Sequence, residues 1–432
     1  MLFLLFITSL ACYGFGIILA KKARKGQKAI FFFAVVSMLF PLLALKYGGF
    51  AFSILGIPFT HSLVIPMGIS FYTLQFIGYL ADIYKNGQAP EKNFIRFFLF
   101  SSYFPQILQG PIPRFAQLSE TLYQEHEFDG ETISYGLQKI LWGLFWKFMI
   151  ASKAAVFVDN IFNSQETIAG SLYLIAGILY SFQLYADFLS CVFLSQGISL
   201  LFGVRLSENF AQPYLAFSIK DFWRRWHISL SLWLRDYVYI PLGGNRKGAF
   251  HANLNLLITF FISGLWHGAG FKYIFWGLMH GIYQIIGKYT LSLRDRIYAF
   301  FRPLEKIRPS LRRLTTFFLV MTAWIIFRAD SLKAGLRALY SIIFQFRPAE
   351  LFNGNLFLKG LNAAEFVLLF FAVILLLVWD RYTEIKESPL LFFAGQKTIY
   401  RLFYSILLLF IIAVFGTYGY GYDAGAFIYG GF

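Results

Sequence analysis

The residues best suited to chemistry are two histidines set in otherwise apolar sequence. His267 lies in Ser263-Gly264-Leu265-Trp266-His267-Gly268-Ala269-Gly270. A helix starting at the basic Lys247 to His251 and rising 1.5 Å per residue puts His267 roughly 24 Å away, deep in a bilayer or past its middle. An imidazole can take a proton from a hydroxyl near neutral pH. Glycines on both sides leave room for a substrate. A histidine that only packs helices, bonded to a neighbouring carbonyl, fits the spacing equally well.

The second histidine, His227, falls in the run Phe222-Trp223-Arg224-Arg225-Trp226-His227-Ile228-Ser229 that continues to Trp233-Leu234-Arg235-Asp236-Tyr237. At helical spacing Trp223, Trp226, Leu230 and Trp233 share one face. That pattern predicts an amphipathic helix at the membrane interface, with arginines snorkelling to headgroups. It leaves His227 and the Arg235-Asp236 pair unexplained, because these need internal partners. Arg224, Arg225 and Arg235 also suit the phosphates of a nucleotide-type donor. The following Tyr239 to Gly248 is rich in glycine and basic residues: a loop whose N–H groups can meet an anion, or a plain cytoplasmic turn. His280 comes 13 residues after His267. On one unbroken helix it would point about 220° away, so it is expected to be structural. Asp187 is expected to tie helices together or orient a cation. His61 and His126 have no expected role.

The elements that must hold these residues are membrane helices. Hydrophobic residues make up 58% of the 432 positions and charged ones 14%. Too few polar side chains remain to cover a soluble globule. A soluble enzyme, a disordered chain and a disulfide-stapled secreted domain are excluded. The net charge of +16 sits in short loops between apolar runs, the positive-inside pattern of a membrane protein and not a nucleic-acid surface. Cys12 and Cys191 fall within apolar stretches and say nothing about redox compartment.

Helices long enough to cross or nearly cross are expected at Leu2 to Ala20, Ile30 to Lys46, Leu63 to Ile83, Ile133 to Ile161, Ile168 to Leu189 and Ser190 to Gly203. Further ones are expected at Leu254 to Leu265, Phe271 to Lys288, Leu314 to Phe327, Ala364 to Trp379 and Leu402 to Gly416. The total is about 11 crossings. The basic cluster after Ala20 places the N-terminus outside. Phe94 to Leu108, interrupted by Pro105 and followed by Gly110-Pro111-Ile112-Pro113, reads as re-entrant. Glu120 to Glu131 reads as a solvated loop, Lys288 to Arg313 as cytoplasmic, and Ser331 to Phe346 as an amphipathic or half-buried helix. No tandem repeat of the transporter type is visible. The fold class is all-α and polytopic, one membrane domain over 1–432 with its core motifs at 207–288.

Taken together, these stretches resemble the membrane-bound O-acyltransferase family, and most closely its bacterial alginate O-acetylase-like branch. The likeness runs from Glu208-Asn209-Phe210 through Gln212-Pro213-Tyr214 to Gly248. It continues through Gly264-Leu265-Trp266-His267-Gly268-Ala269 and Trp276-Gly277 to His280-Gly281. Earlier matches are Ile69-Ser70-Phe71-Tyr72 and Pro105-Gln106 to Gly110-Pro111-Ile112. The form Leu234-Arg235-Asp236-Tyr237 to Ile240-Pro241-Leu242-Gly243-Gly244-Asn245-Arg246 is similar to the alginate-acetylase type rather than the D-alanyl type.

The resemblance implies helices around a central tunnel, with His267 as the acyl-transfer centre and His227 as its second polar position. It implies a cytoplasmic thioester donor, acetyl-CoA in acetylating members, with no resident cofactor or metal. It also implies a polysaccharide acceptor, a periplasmic or surface acetyltransferase partner and residence in the bacterial inner membrane. Trp223, Arg224, Arg225, Trp226, Arg235, Asp236 and Trp266 are the expected donor- or substrate-binding residues. Two features depart from the pattern. Relatives have a second acid where this chain has Phe193, and they carry further hydrophobic sequence before Met1, so the start is either trimmed or dispensable. The ending Ala426 to Phe432 matches the usual aromatic tail in part. The expected function is O-acetylation of an envelope polysaccharide such as an alginate-like exopolysaccharide or peptidoglycan. The alternatives are D-alanyl transfer to teichoic acid, a transporter, or a non-catalytic scaffold.

Overall fold

The computed structural model describes residues 2–21, 24–56, 65–386 and 388–418. The first layer contains α1 (Leu2–Lys21), α2 (Arg24–Leu42), α3 (Gly48–Ile54), α4 (Ile69–Asn86), α5 (Phe94–Ser101) and α6 (Phe115–Leu122). The second contains α7 (Gly130–Trp146), α8 (Ser152–Phe162) and the long α9 (Gly170–Leu201). The short α10 (Ile219–Arg225) and α11 (Ile228–Leu234) lead into the hairpin of α12 (Ala249–His267) and α13 (Phe271–Tyr289). The chain closes with α14 (Leu291–Phe300), α15 (Arg302–Arg328), α16 (Leu332–Phe344), α17 (Ala363–Ile385), α18 (Pro389–Ala394) and α19 (Thr398–Phe415). Among the described residues there is no strand. This is an all-α, multi-pass membrane protein.

Eight described helices are long and apolar enough to cross a membrane. The difference from the eleven expected crossings has three sources. Ile168 to Leu189 and Ser190 to Gly203 form one continuous helix, α9. Helix α4 carries Gln75, Asp82, Lys85 and Asn86, and helix α13 carries Lys272, His280, Gln284 and Lys288. Both have helix length, but neither is among the eight. Leu63 and Val64 of the expected third helix, His61, and Ala426 to Phe432 lie outside the described residues. As expected, the chain is irregular after α5, turning through Ser102–Gly110 before α6. Helix α16 is amphipathic as expected, burying Gly335, Ala338 and Ser341.

Side chains fix several helix starts. Asn93 and Asp129 accept bonds from backbone N–H groups in the first turns of α5 and α7, and Asn362 forms a capping box with Glu365. Glycine sets the helix separations at two interfaces. Gly136 and Gly197 let α7 and α9 touch backbone to backbone: a β-carbon on Gly197 would lie 2.6 Å from the Gly136 carbonyl oxygen. In the α12–α13 hairpin a β-carbon on Gly264 or Gly277 would strike the carbonyls of Tyr273 and Phe260. Small residues are what allow such close approach between membrane helices. Asp187 of α9 pairs with Lys147 at 2.7 Å. Lys147 opens a π-turn, Lys147–Ala151, between α7 and α8, so the acid ties helices as expected.

Candidate active site

The single interfacial helix expected around His227 does not form. The chain breaks at Trp226-His227, and His227 takes φ 44° and ψ 55°. A left-handed conformation costs a residue with a β-carbon roughly 1–2 kcal/mol, and positions held there cluster at functional sites. Asn209 restrains this turn. Its backbone oxygen accepts from the Ile228 N–H at 3.0 Å, and its side-chain oxygen accepts from the Ser229 N–H and hydroxyl at 3.0 and 2.9 Å. The Ser229 hydroxyl oxygen in turn accepts the Ile112 N–H at 3.0 Å. The break turns Trp223 and Trp226 into the protein rather than onto lipid; they are 8% and 1% exposed.

Burial is nearly complete at the three histidines: His227 is 1% exposed, His267 2% and His280 0%. Two indoles join them. Trp266 lies 5.9 Å from the His227 ring and 4.9 Å from the His267 ring, centre to centre. Trp276 lies 4.8 Å from His267 and 5.1 Å from His280. Phe188 packs edge-on against His227 at 4.7 Å, and Phe327 against His267 at 5.5 Å. Neither ring nitrogen of His227 or of His280 has a hydrogen-bond partner among the described residues. Buried polar atoms are normally satisfied, so such positions call for a functional account. His280, expected to sit apart, is folded back to the same cluster because the chain reverses at Gly268–Gly270.

A cavity of about 740 Å³ opens beside this cluster. Its exposed rim carries Lys220, Arg224, Arg235 and Lys288, and no carboxylate lines it among the described residues. Its buried end is formed by Trp223, Phe260 and Ser263. Ser263 precedes His267 by one helical turn on α12. Trp223 touches Trp276 at 5.8 Å and His280 at 5.1 Å. The apolar stem and cationic mouth suit an acyl chain on a phosphate-bearing carrier.

The expected binding residues divide into two groups. Trp223, Arg224 and Arg235 line the cavity, and Trp266 separates the two candidate histidines. Arg225 and Trp226 do not line it. Arg225 is engaged by Asp221 at 3.2 Å and Glu384 at 3.1 Å, while Trp226 packs on Trp324 and Phe210. Asp236 pairs with Arg114 and with Arg235, the latter at 2.7 Å. Burial alone would raise the Asp236 pKa, but hydrogen bonds from Arg235 and Arg114 reverse this and hold the carboxyl below its ordinary range. Sequence reasoning gave no role to Lys220, Lys288, Ser263 or Asn209. Only the fold shows that they share one cavity or one turn.

Residues 87–328, more than half of the chain, match the membrane-bound O-acyltransferase family. The chain belongs to that family. It is 39% identical over 332 residues to a probable alginate O-acetylase of Pseudomonas putida, covering 76% of this chain and 66% of that protein. It is 36% identical over 310 residues to a peptidoglycan O-acetyltransferase of Helicobacter pylori, covering 66% and 58%. To a teichoic acid D-alanyltransferase of Bacillus subtilis it is 30% identical over 281 residues, covering 61% and 69%. The chain thus spans just under two thirds, or less, of the length of the two acetylating relatives.

Proposed function

We propose that this chain is the membrane O-acyltransferase of an envelope O-acetylation system, moving an acetyl group from a cytoplasmic thioester to a hydroxyl supplied from the other side. The observation that carries this reading is the cation-rimmed cavity ending one helical turn from His267. Acetyl-CoA enters from the side where Lys220, Arg224, Arg235 and Lys288 meet its phosphates. The acyl end passes Trp223 and Phe260 toward Ser263. His267 acts as general base: the acceptor O–H proton passes to the imidazole, the oxygen forms a C–O bond to the acyl carbon, and the C–S bond breaks. The leaving thiolate takes the proton back. His227, in its strained turn, orients the acyl carbonyl or the acceptor. Packed indoles exclude bulk water and so disfavour loss of the acyl group to hydrolysis.

On this reading the protein is one inner-membrane domain with its N-terminus outside. A periplasmic or surface acetyltransferase partner carries the group on to a polysaccharide such as an alginate-like polymer or peptidoglycan. The greater identity to the acetylating relatives than to the D-alanylating one supports acetyl as the cargo. The test is ester-linked acetate on envelope glycans of cells making wild type or His267→Ala at matched protein level. Loss of acetate in the variant is the expected result. Unchanged acetate would reject the assignment of His267.

A further inference from the structure

Just past the C-terminal end of α2 lies a cation that the cavity and the histidine cluster do not explain. Lys46 lies within the apolar span Gly26–Phe52, where an ionisable residue is a functional candidate by default. It sits in a π-turn, Leu43–Tyr47, a local distortion often found at functional sites. The turn directs two consecutive side chains at the C-terminal end of α12. The Lys46 ammonium donates to the Trp266 carbonyl at 2.8 Å and to the Ser70 hydroxyl at 3.2 Å. The Tyr47 hydroxyl donates to the Leu265 carbonyl. The third side of this clamp comes from α4, where the Ser70 carbonyl accepts the Trp266 indole N–H at 3.1 Å. Helix α12 ends at His267, the residue after the one Lys46 holds.

We propose that Lys46 is a positioning residue for acyl transfer. It holds the Trp266–His267 turn and supplies a fixed positive charge beside it that stabilises the negative charge developing on the acyl oxygen. A helix C-terminus presents unpaired carbonyls and partial negative charge, which would otherwise oppose that oxyanion. The ammonium offsets both at once. Lysine has three donors; two go to Trp266 and Ser70, and the third has no partner among the described residues. A fixed charge in a site closed to water needs no reorganisation during the reaction, which is why such groups have large effects on rate.

This inference rests on the acyl-transfer reading and deepens it. The test uses the full chain in lipid nanodiscs with acetyl-CoA as donor and an alginate or peptidoglycan oligosaccharide as hydroxyl acceptor, comparing wild type, Lys46→Gln and Lys46→Arg, with a melting temperature measured for each. Lys46→Gln keeps an N–H for the Trp266 carbonyl but removes the charge. It should lower kcat about hundredfold with KM for acetyl-CoA unchanged, and Lys46→Arg should recover most of the loss. Equal loss in both variants, or a fall in kcat that only follows a fall in melting temperature, would reduce Lys46 to a structural clamp. Unchanged kcat in Lys46→Gln, with an active wild type, would overturn this inference alone. A wild type that transfers no acetyl would overturn the acyl-transfer reading and this inference with it.

Discussion

The side-chain oxygen of Asn209 accepts two hydrogen bonds from Ser229, one from its backbone N–H and one from its hydroxyl. Between these residues in sequence lies the left-handed turn at His227. Asn209 therefore maintains a conformation His227 would not choose unaided. Replacing Asn209 by alanine leaves the Ser229 N–H unpaired in a half-buried site, at about 1–3 kcal/mol. Asn209→Ala should melt several degrees lower and lose acetyl transfer, while Asn209→Asp, which keeps the acceptor oxygen, should retain more of both. Thermal melts in detergent and acetyl-transfer rates measure the two effects.

The arginines of the Trp223–Tyr237 run should separate by function. Arg224 and Arg235 face the cavity, Arg235 also pairing with Asp236 at its exposed rim, whereas Arg225 lies off the cavity and is held by Asp221 and Glu384. Arg224→Ala and Arg235→Ala should each raise KM for acetyl-CoA about tenfold, as loss of a charge-assisted contact does, with little change in melting temperature. Added salt should weaken wild-type binding more than binding by these variants. Arg225→Ala should lower the melting temperature instead, because it unpairs Asp221 and one oxygen of Glu384, whose other oxygen stays with Arg313 and Arg381.

Ser263 marks the buried end of the cavity. A Ser263→Leu substitution extends an apolar side chain into the path of the acyl group without touching the cationic rim. Transfer should fall at least tenfold, a loss typical of misplaced reacting groups, while acetyl-CoA still binds with near wild-type affinity. Equilibrium binding and single-turnover transfer, measured on the same preparation, distinguish blockage from lost binding.

The hairpin that brings His280 back toward His267 depends on bare backbone at Gly264 and Gly277. Gly277→Ala introduces a β-carbon against the Phe260 carbonyl, so α12 and α13 must move apart. Overpacking of this kind costs roughly 1–3 kcal/mol. Reduced yield of folded protein on size exclusion, together with lost transfer, is the expected result.

Much of the fold was readable because apolar run length and basic loops are direct signals of membrane helices. The merging of Ile168 to Leu189 with Ser190 to Gly203 was not readable, since Ser190 looks like a boundary residue. In the fold its backbone instead receives Gly143 of α7. His227 and His267 stood out as ionisable residues in apolar sequence. The break at Trp226-His227 did not, because the tryptophan spacing matches an unbroken helix. The force that overrides this pattern is tertiary, namely the hydrogen bonds that Asn209 accepts from Ile228 and Ser229. Lys46 looked like the end of a helix because a lysine after an apolar run normally marks the membrane surface. Only the π-turn and the carbonyl of Trp266 give it an inward role.

The two indoles that join the histidines have a consequence for the cell as a whole. A passage that admits an acyl group across a bilayer is wide enough for a file of water, and such a file would conduct protons and drain the electrochemical gradient. Trp266, Trp276, Trp324 and Phe327 are all buried around His267 or its neighbours. On the acyl-transfer reading, these rings are what would interrupt such a file beside His267. If the chain does pass an acyl group across the bilayer as proposed, the packing that keeps water from the ester chemistry would also keep the membrane energised.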